Sequence, residues 1–241
     1  MRIRLDNIQN FKNVLMNTEQ FLDEIKFEVD SDGIRFRGLD KSHVAFISMI
    51  IPSDYFTEFD LYMPCYCICD TTELMKVFKR AKNTDELIFS FDDSDLKLEF
   101  INGNVKRSFK IRQIDMEYDS PDKPQIDFPC VFEVNSKQLV DGIKDAELYT
   151  DKVKLKTNND IFSVIAEGEF GDYKSELELS ENVGDFESVF SLGWLNKIFK
   201  LDIGNTVKIN MGNTLPLFLE FEDNLGLKAE FLLAPRIESD E

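Results

Sequence analysis

The sequence predicts an α+β protein of two similar domains, each with two helices packed on antiparallel sheet. Three observations predict it. Leu74-Met75-Lys76-Val77-Phe78-Lys79 returns as Leu195-Asn196-Lys197-Ile198-Phe199-Lys200, 121 residues further on. Leu98-Glu99-Phe100 returns as Leu219-Glu220-Phe221 at the same spacing, about half of the 241-residue chain. Short apolar runs separated by turn residues fill most of the rest, with helical periodicity at four places. The elements therefore repeat in the order strand, helix, strands, helix, strands, as in a duplicated domain.

Residues 9–24 are the first expected helix, with Phe11, Val14, Leu15, Thr18 and Leu22 on one side. Strands are expected over 25–29 and 34–39, joined by Asp30-Ser31-Asp32-Gly33, where Gly accepts positive φ. That turn lacks the later ligands and terminal Glu of a calcium loop. The run 43–51 reads as a buried strand ended by Pro52, and 65–70 as another strand leading into a helix over 72–83, with Thr71 or Thr72 as N-cap. Strands at 86–91, 96–101 and 105–111 follow, with Asp/Ser and Asn-Gly turns between them. Residues 116–129 break every period and carry Pro121, Pro124 and Pro129 among acids, which marks an extended connector. The expected domains are thus 1–115 and 130–241. The second repeats the pattern: helix 136–147 capped by Ser136, strands 153–157, 161–167 and 173–179, helix 191–201, then strands 206–211, 217–221 and 227–233.

The chain carries 28 Lys and Arg against 46 Asp and Glu, a formal charge of −18. Against that background the second helix stands out. With Leu74, Val77, Phe78 and Ala81 on its buried face, Lys76, Lys79 and Arg80 point the opposite way, and Lys82 lies just beyond. A single lysine-rich helix is commonly just a solvated face; its recurrence in the second copy argues otherwise. Lys197 lies opposite the Leu195/Ile198/Phe199 face, with Lys200 at its edge. The third helix exposes Lys137 and Lys144, whereas the first has Asn13, Asn17 and Gln20, with only Lys12 on the rim. Lysines spread over several helices, without an aromatic stacking platform, suit sequence-independent phosphate contact rather than base readout. The overall acidity discourages adhesion to nucleic acid elsewhere on the surface.

A hydrophobic content of 43% with 22 Phe argues for a folded chain. No apolar run approaches the ~18–20 residues of a membrane span, and Met1-Arg2-Ile3-Arg4 lacks the apolar region of a secretion signal, so an intracellular protein with no membrane partner is expected. Cys65, Cys67 and Cys69 share one strand face, with Cys130 far off; C-x-C-x-C beside a lone His43 is a weak zinc pattern, so buried reduced thiols are expected and no metal. No phosphate-binding loop, dinucleotide fingerprint, metalloprotease helix or nucleophile elbow occurs. His43 has no nucleophile beside it, and Asp115, Glu117 and Asp119 read as solvating acids of the connector rather than Mg²⁺ ligands. Neither a catalytic residue nor a cofactor is expected.

Four stretches resemble the archaeal and eukaryotic sliding clamp family, proliferating cell nuclear antigen: Gly33-Ile34 with Leu39-Asp40-Lys41-Ser42-His43-Val44; Leu74–Arg80; Pro216-Leu217 with Glu220-Phe221; and Leu232-Leu233-Ala234-Pro235-Arg236-Ile237-Glu238, the most specific of them. The resemblance covers the whole chain. It implies a DNA-clamp fold, a ring-forming homotrimer with helices around duplex DNA, a processivity role for DNA polymerase, and loading by an ATP-driven clamp loader. Its location would be the nucleoid of an archaeon or the nucleus of a eukaryote. It also implies a pocket for short peptides of replication and repair proteins, carried over to Leu39, Val44, Pro216, Leu232, Leu233, Ala234 and Pro235. Ile126 would be the connector's apolar contribution; the connector departs from the family pattern there. For ring closure, Ser108–Arg112 is expected to pair with Tyr173–Leu179 of the next subunit. Lys110 and Arg112 alternate with Phe109 and Ile111, Glu176 and Glu178 with Leu177 and Leu179, so opposite charges and apolar residues could each meet. The alternatives are a heterotrimeric or checkpoint-type clamp subunit, an acidic interaction scaffold that never encircles DNA, and, last, a carboxylate–metal enzyme.

Overall fold

The computed structural model describes residues 1–92 and 94–237. Asp93, in the expected Asp/Ser turn, and Glu238, the last residue of the C-terminal motif, lie outside the described residues, as do residues 239–241. The chain divides into two compact units, one of Met1–His43, Ile47–Lys123 and Asp223–Ala229, the other of Val44–Phe46, Pro124–Glu222 and Glu230–Glu241. Residues 116–123 of the expected connector thus go with the first unit and 124–129 with the second.

The first half forms β1 (Arg2–Leu5), α1 (Gln9–Thr18), β2 (Glu24–Asp30), β3 (Gly33–Leu39), β4 (Ala45–Pro52), a 3-10 turn (Ser53–Tyr55), β5 (Glu58–Asp60), β6 (Cys65–Asp70), α2 (Thr71–Phe78), β7 (Glu86–Phe91), β8 (Asp95–Asn102) and β9 (Val105–Arg112). Its strands run in the orders β5-β1-β7-β8-β9 and β6-β2-β3-β4. The second half forms β10 (Cys130–Asn135), α3 (Ser136–Ala146), β11 (Lys152–Asn158), β12 (Ile161–Gly168), β13 (Gly171–Glu178), β14 (Phe186–Ser191), α4 (Leu192–Ile198), β15 (Thr206–Met211), β16 (Leu217–Glu222) and β17 (Lys228–Leu233). Its orders are β10-β15-β16-β17 and β14-β11-β12-β13. Every strand of one half except β5 has a counterpart at the same sheet position in the other. The spacing between counterparts falls from 128 residues at β2 and β11 to 121 at β6 and β14, because the first half has longer turns and adds the 3-10 turn and β5.

Alternation makes these strands. Ile25, Phe27 and Val29 of β2 and Leu96, Leu98 and Phe100 of β8 are buried, while the residues between them are not. In the first unit, Phe27 meets Phe36 of β3 and Phe89 of β7 at ring-centroid distances of 5.5 and 5.6 Å, so one side chain ties the two sheets together. Phe132 of β10 and Phe162 of β12 do the same in the second unit at 5.0 Å. The repeated motifs meet in space: Phe78, ending α2, packs edge-on against Phe100 of β8 at 5.6 Å, and Phe199, following α4, packs against Phe221 of β16 at 5.8 Å. Phe78, Phe100 and Phe221 are buried and each contributes roughly 1.5–3 kcal/mol by its removal from water, whereas Phe199 is half-buried.

Several element boundaries differ from the expected ones. The first helix stops at Thr18, whose hydroxyl donates back to Val14 O (2.9 Å), and Phe21 and Leu22 N–H both close onto Thr18 O. The second helix starts one residue earlier than expected and ends at Phe78. Its N-cap is Asp70, which accepts from Glu73 N–H at 2.9 Å, rather than Thr71 or Thr72. Lys79–Ala81 continue as one closing turn. Asn135, not Ser136, caps α3, accepting from Lys137 and Gln138 N–H. The fourth helix is Leu192–Ile198 only. β1 and β10 are the strands expected before the first helix of each copy; β5 and β14 were not expected, being short or lacking turn signals at both ends. No helix of the described residues is long and apolar enough to cross a membrane.

A buried carboxylate organises one turn of the first unit. Asp223 accepts from Asn10 Nδ2 (2.7 Å), Tyr55 OH (3.2 Å), Leu225 N–H (2.9 Å) and Leu227 N–H (3.0 Å). Burial, reinforced by Asp223, pushes the Tyr55 hydroxyl far above its ordinary value, so it remains a donor. Asp223→Ala strands these donors, and we expect a loss of about 1–3 kcal/mol, read as a lower urea midpoint at unchanged m-value.

Candidate nucleic-acid and partner interfaces

In each unit the two helices lie side by side, α1 with α2 and α3 with α4. Phe11 of α1 and Phe78 of α2 touch at 5.9 Å, which leaves the polar faces outward. The expected cations of the first unit lie on α1, on α2 and in the turn that follows α2. Lys76 and Arg80 are exposed, but Lys76 Nζ is bound to Glu73 at 2.5 Å, and that hydrogen bond raises its pKa above the ordinary lysine value. Lys79 Nζ bonds Glu19, at the end of α1, at 2.9 Å. Lys12 donates to Ala81 O at 2.5 Å and so clamps the turn after α2 to α1. Lys82 is exposed, and its backbone N–H donates to the carboxylate of the wholly buried Asp85 (2.8 Å).

Two residues that sequence reasoning missed shape these faces. Arg107 of β9 pairs with Asp85, donates to Arg80 O (2.8 Å) and lies over Phe100, positioning the turn that carries Arg80. In the second unit Lys197 Nζ sits 4.1 Å from the Trp194 ring centroid, a cation–π contact that steers the lysine along α4. The i, i+3 spacing of Trp194 and Lys197 was a legible signal; the Arg107–Arg80 link, 27 residues apart, was not. Lys137, Lys144 and Lys200 are exposed in the same unit.

The residues expected at a subunit boundary lie on two sheet edges. Among the described residues, β9 has β8 on one side and no strand on the other, and β13 likewise has only β12. Lys110, Arg112, Glu176 and Glu178 are exposed, with Lys110 Nζ bound to Asp95 at 2.6 Å. Phe109 and Leu177 are half-buried. Ile111 and Leu179 are buried and pack inside their own units; Leu179 follows β13, donating its N–H to Asp160 O (2.7 Å). Strand parity turns these two side chains away from the outer face.

Of the expected peptide-docking residues, the second unit contains all but Leu39. Ala234 N–H donates to Val44 O at 2.9 Å, and Arg236 N–H to Val189 O at 2.7 Å, so the C-terminal stretch is anchored on both sides. Val44, Ile126, Pro216, Leu232, Ala234 and Pro235 are half-buried, and Leu39, in the first unit, is exposed. Leu233 is 0% exposed; it belongs to the core and corrects the expectation of a docking contact. The connector has no regular structure. Lys26 Nζ donates to Tyr118 O (3.2 Å) and Ser120 Oγ to Glu28 (3.0 Å), while in the second unit Phe128 stacks on Phe218 at 6.0 Å.

The three clustered cysteines are free thiols. Cys67 and Cys69 are buried, and a hydrogen bond with Cys67, followed by burial, raises Cys69 well above the ordinary thiol pKa. No group of three or more metal-ligating side chains occurs among the described residues.

The family model for the N-terminal domain of proliferating cell nuclear antigen matches residues 1–122. A DNA polymerase sliding clamp of Methanobrevibacter smithii is 38% identical over 223 residues, which are 91% of each chain. Among solved structures, the PCNA2–PCNA3 complex of Sulfolobus tokodaii matches with a TM-score of 0.89 at 27% identity, covering 99% of this chain and 100% of that one. A. fulgidus PCNA bound by the C-terminal region of FEN-1 has the same fold, with a TM-score of 0.91 at 24% identity over 99% of each chain. With half of its length matched by the family model and nearly all of it aligned to such a relative, the chain belongs to the proliferating cell nuclear antigen family of DNA polymerase sliding clamps.

Proposed function

We propose that copies of this chain close into a homotrimeric ring around duplex DNA, acting as the processivity factor of a DNA polymerase and as a docking platform for replication and repair proteins. The observation that carries this is the pair of free edges, cationic β9 and acidic β13, one in each unit. An unpaired edge is a template for another strand, and long edges left open invite aggregation. Joining two unlike edges is a heterologous contact, which closes a ring when the rotation allows it.

Within the ring the helices carry Lys12, Lys76, Lys79, Arg80, Lys82, Lys137, Lys144, Lys197 and Lys200 toward DNA phosphates. The pairing of Lys76 with Glu73 and Lys79 with Glu19 tempers that attraction. A topologically linked ring gains from this, since retention comes from closure and weak, exchangeable phosphate contacts permit sliding. A clamp loader opens and closes the ring, and short peptides of partner proteins dock beside Val44, Ile126, Leu232, Ala234 and Pro235. The work takes place inside the cell, on the chromosome.

A heterotrimeric ring is the second reading, because the Sulfolobus tokodaii relative is a complex of two different chains. Native mass of the purified chain decides: three copies support the homotrimer, and a monomer that assembles only with another clamp chain supports the rival. Lys110→Glu/Arg112→Glu is expected to sediment as a folded monomer, and an intact trimer would remove the cationic edge from the boundary. Replacing Lys76, Lys79, Arg80 and Lys197 together by Ala is expected to leave the trimer intact, weaken polymerase stimulation, and flatten the salt dependence of retention on circular DNA, because fewer counterions are released. Dissociation of the trimer would make these side chains structural.

A further inference from the structure

The most exposed aromatic side chains of the chain are Phe170, 94% exposed in the two-residue turn between β12 and β13, and Tyr62, 92% exposed on the rim of a groove in the first unit. The groove is about 1080 Å³ and is lined by Tyr62, Met63, Tyr66, Ile68, Ile114 and Met116, together with Lys110 and Arg112 from the outer face of edge strand β9. Single exposed apolar residues are ordinary; a ring beside one free edge and a groove beside the other are complementary features.

The internal repeat says how those edges meet. Lys106-Arg107-Ser108-Phe109 of β9 aligns with Lys228-Ala229-Glu230-Phe231 of β17, with the same inward parity, at a spacing of 122 residues. β13 aligns with β4, Gly171 on Ala45, at a spacing of 126. Ala234, just past β17, donates its N–H to Val44 O, just before β4. At the other end of these strands a Cβ on Gly226 would lie 3.4 Å from Pro52 Cγ. As residue numbers rise along one strand they fall along the other, so the pair is antiparallel. The counterparts of Ala234 and Val44 are Arg112, the last residue of β9, and Phe170, just before β13, and among the described residues both strands end their sheets.

We infer that Arg112 N–H of one copy meets Phe170 C=O of the next, and that the Phe170 ring seats in the neighbouring copy's groove, against Tyr62, Tyr66 and the Arg112 guanidinium. This rests on the ring reading and gives it a register. Counting back antiparallel from that contact, Lys110 faces Asp172 and Lys106 faces Glu176 on the outer side. Phe109 faces Tyr173 and Val105 faces Leu177 on the inner side. The acidic partners become Asp172 and Glu176, where sequence alternation alone pointed to Glu176 and Glu178. A cation over the ring face and an aromatic wall on the other side are the setting in which one side chain dominates an interface. The occupant is therefore a second copy of this chain. The chain between β4 and β6, which carries Tyr62 and Met63, is longer than its counterpart between β13 and β14, so the repeat does not supply the equivalent of this rim.

The test uses the full chain. Phe170→Asp, at an exposed turn, leaves the far-UV circular dichroism of the monomer unchanged, and is expected to raise the concentration at which the trimer dissociates by about tenfold or more in a dilution series followed by sedimentation velocity. The double variant Arg112→Cys/Phe170→Cys is expected to form intermolecular disulfides under mild oxidation, giving linked dimers and trimers on denaturing gels that wild type, with its own four cysteines, does not give. Wild-type and Phe170→Asp trimers equally resistant to dilution, with no cross-link in the double variant, would overturn the docking and its register while leaving the ring. A wild-type chain that is monomeric at every concentration would instead overturn the ring reading itself.

Discussion

The contact on which both halves depend is a phenylalanine at the end of a helix packed edge-on against a phenylalanine in the middle of a strand. Phe78 on Phe100 and Phe199 on Phe221 are the same contact made twice, at 5.6 and 5.8 Å. It sets the second helix of each unit against its sheet and so decides which way that helix turns its remaining face. The lysines of α2 and α4 are outward because these rings are inward. Interiors are close-packed, so the polar face has little freedom once such a knob is seated.

Electrostatics then works at two ranges. At long range the chain carries −18, which repels DNA and keeps the surface from adhering to it at random. Within a Debye length of about 8–10 Å only neighbouring charges count, and there the helix faces carry lysine and arginine. These cations are partly neutralised by Glu73 and Glu19, and such exposed pairs contribute little to stability. Their consequence is for binding: a tempered positive surface suits a ring held by topology.

Much of this was legible in the sequence. The repeat, the four helices, the connector and the charge on α2 and α4 all follow from spacing, and the family resemblance agreed with them. Helix ends were less legible, because Asp70 and Asn135 cap through side chains that competed with equally plausible hydroxyls at Thr71, Thr72 and Ser136. The spacing of the repeat was only partly visible. Offsets of 121 residues survive in the motifs, but the 128-residue offset of β2 and β11 preserves parity while keeping only Lys26 and Lys154 alike.

The sequence by itself determined two domains, their element order and which helices are cationic, since periodicity and self-similarity are properties of neighbouring or repeated residues. Only the tertiary structure decided that β9 and β13 end their sheets, that Leu233, Ile111 and Leu179 face inward, that Glu19 sits on Lys79, and that Arg107 holds the turn of Arg80. Sheet order and ion pairs between residues tens of positions apart depend on how strands are laid beside one another, and no local pattern encodes that.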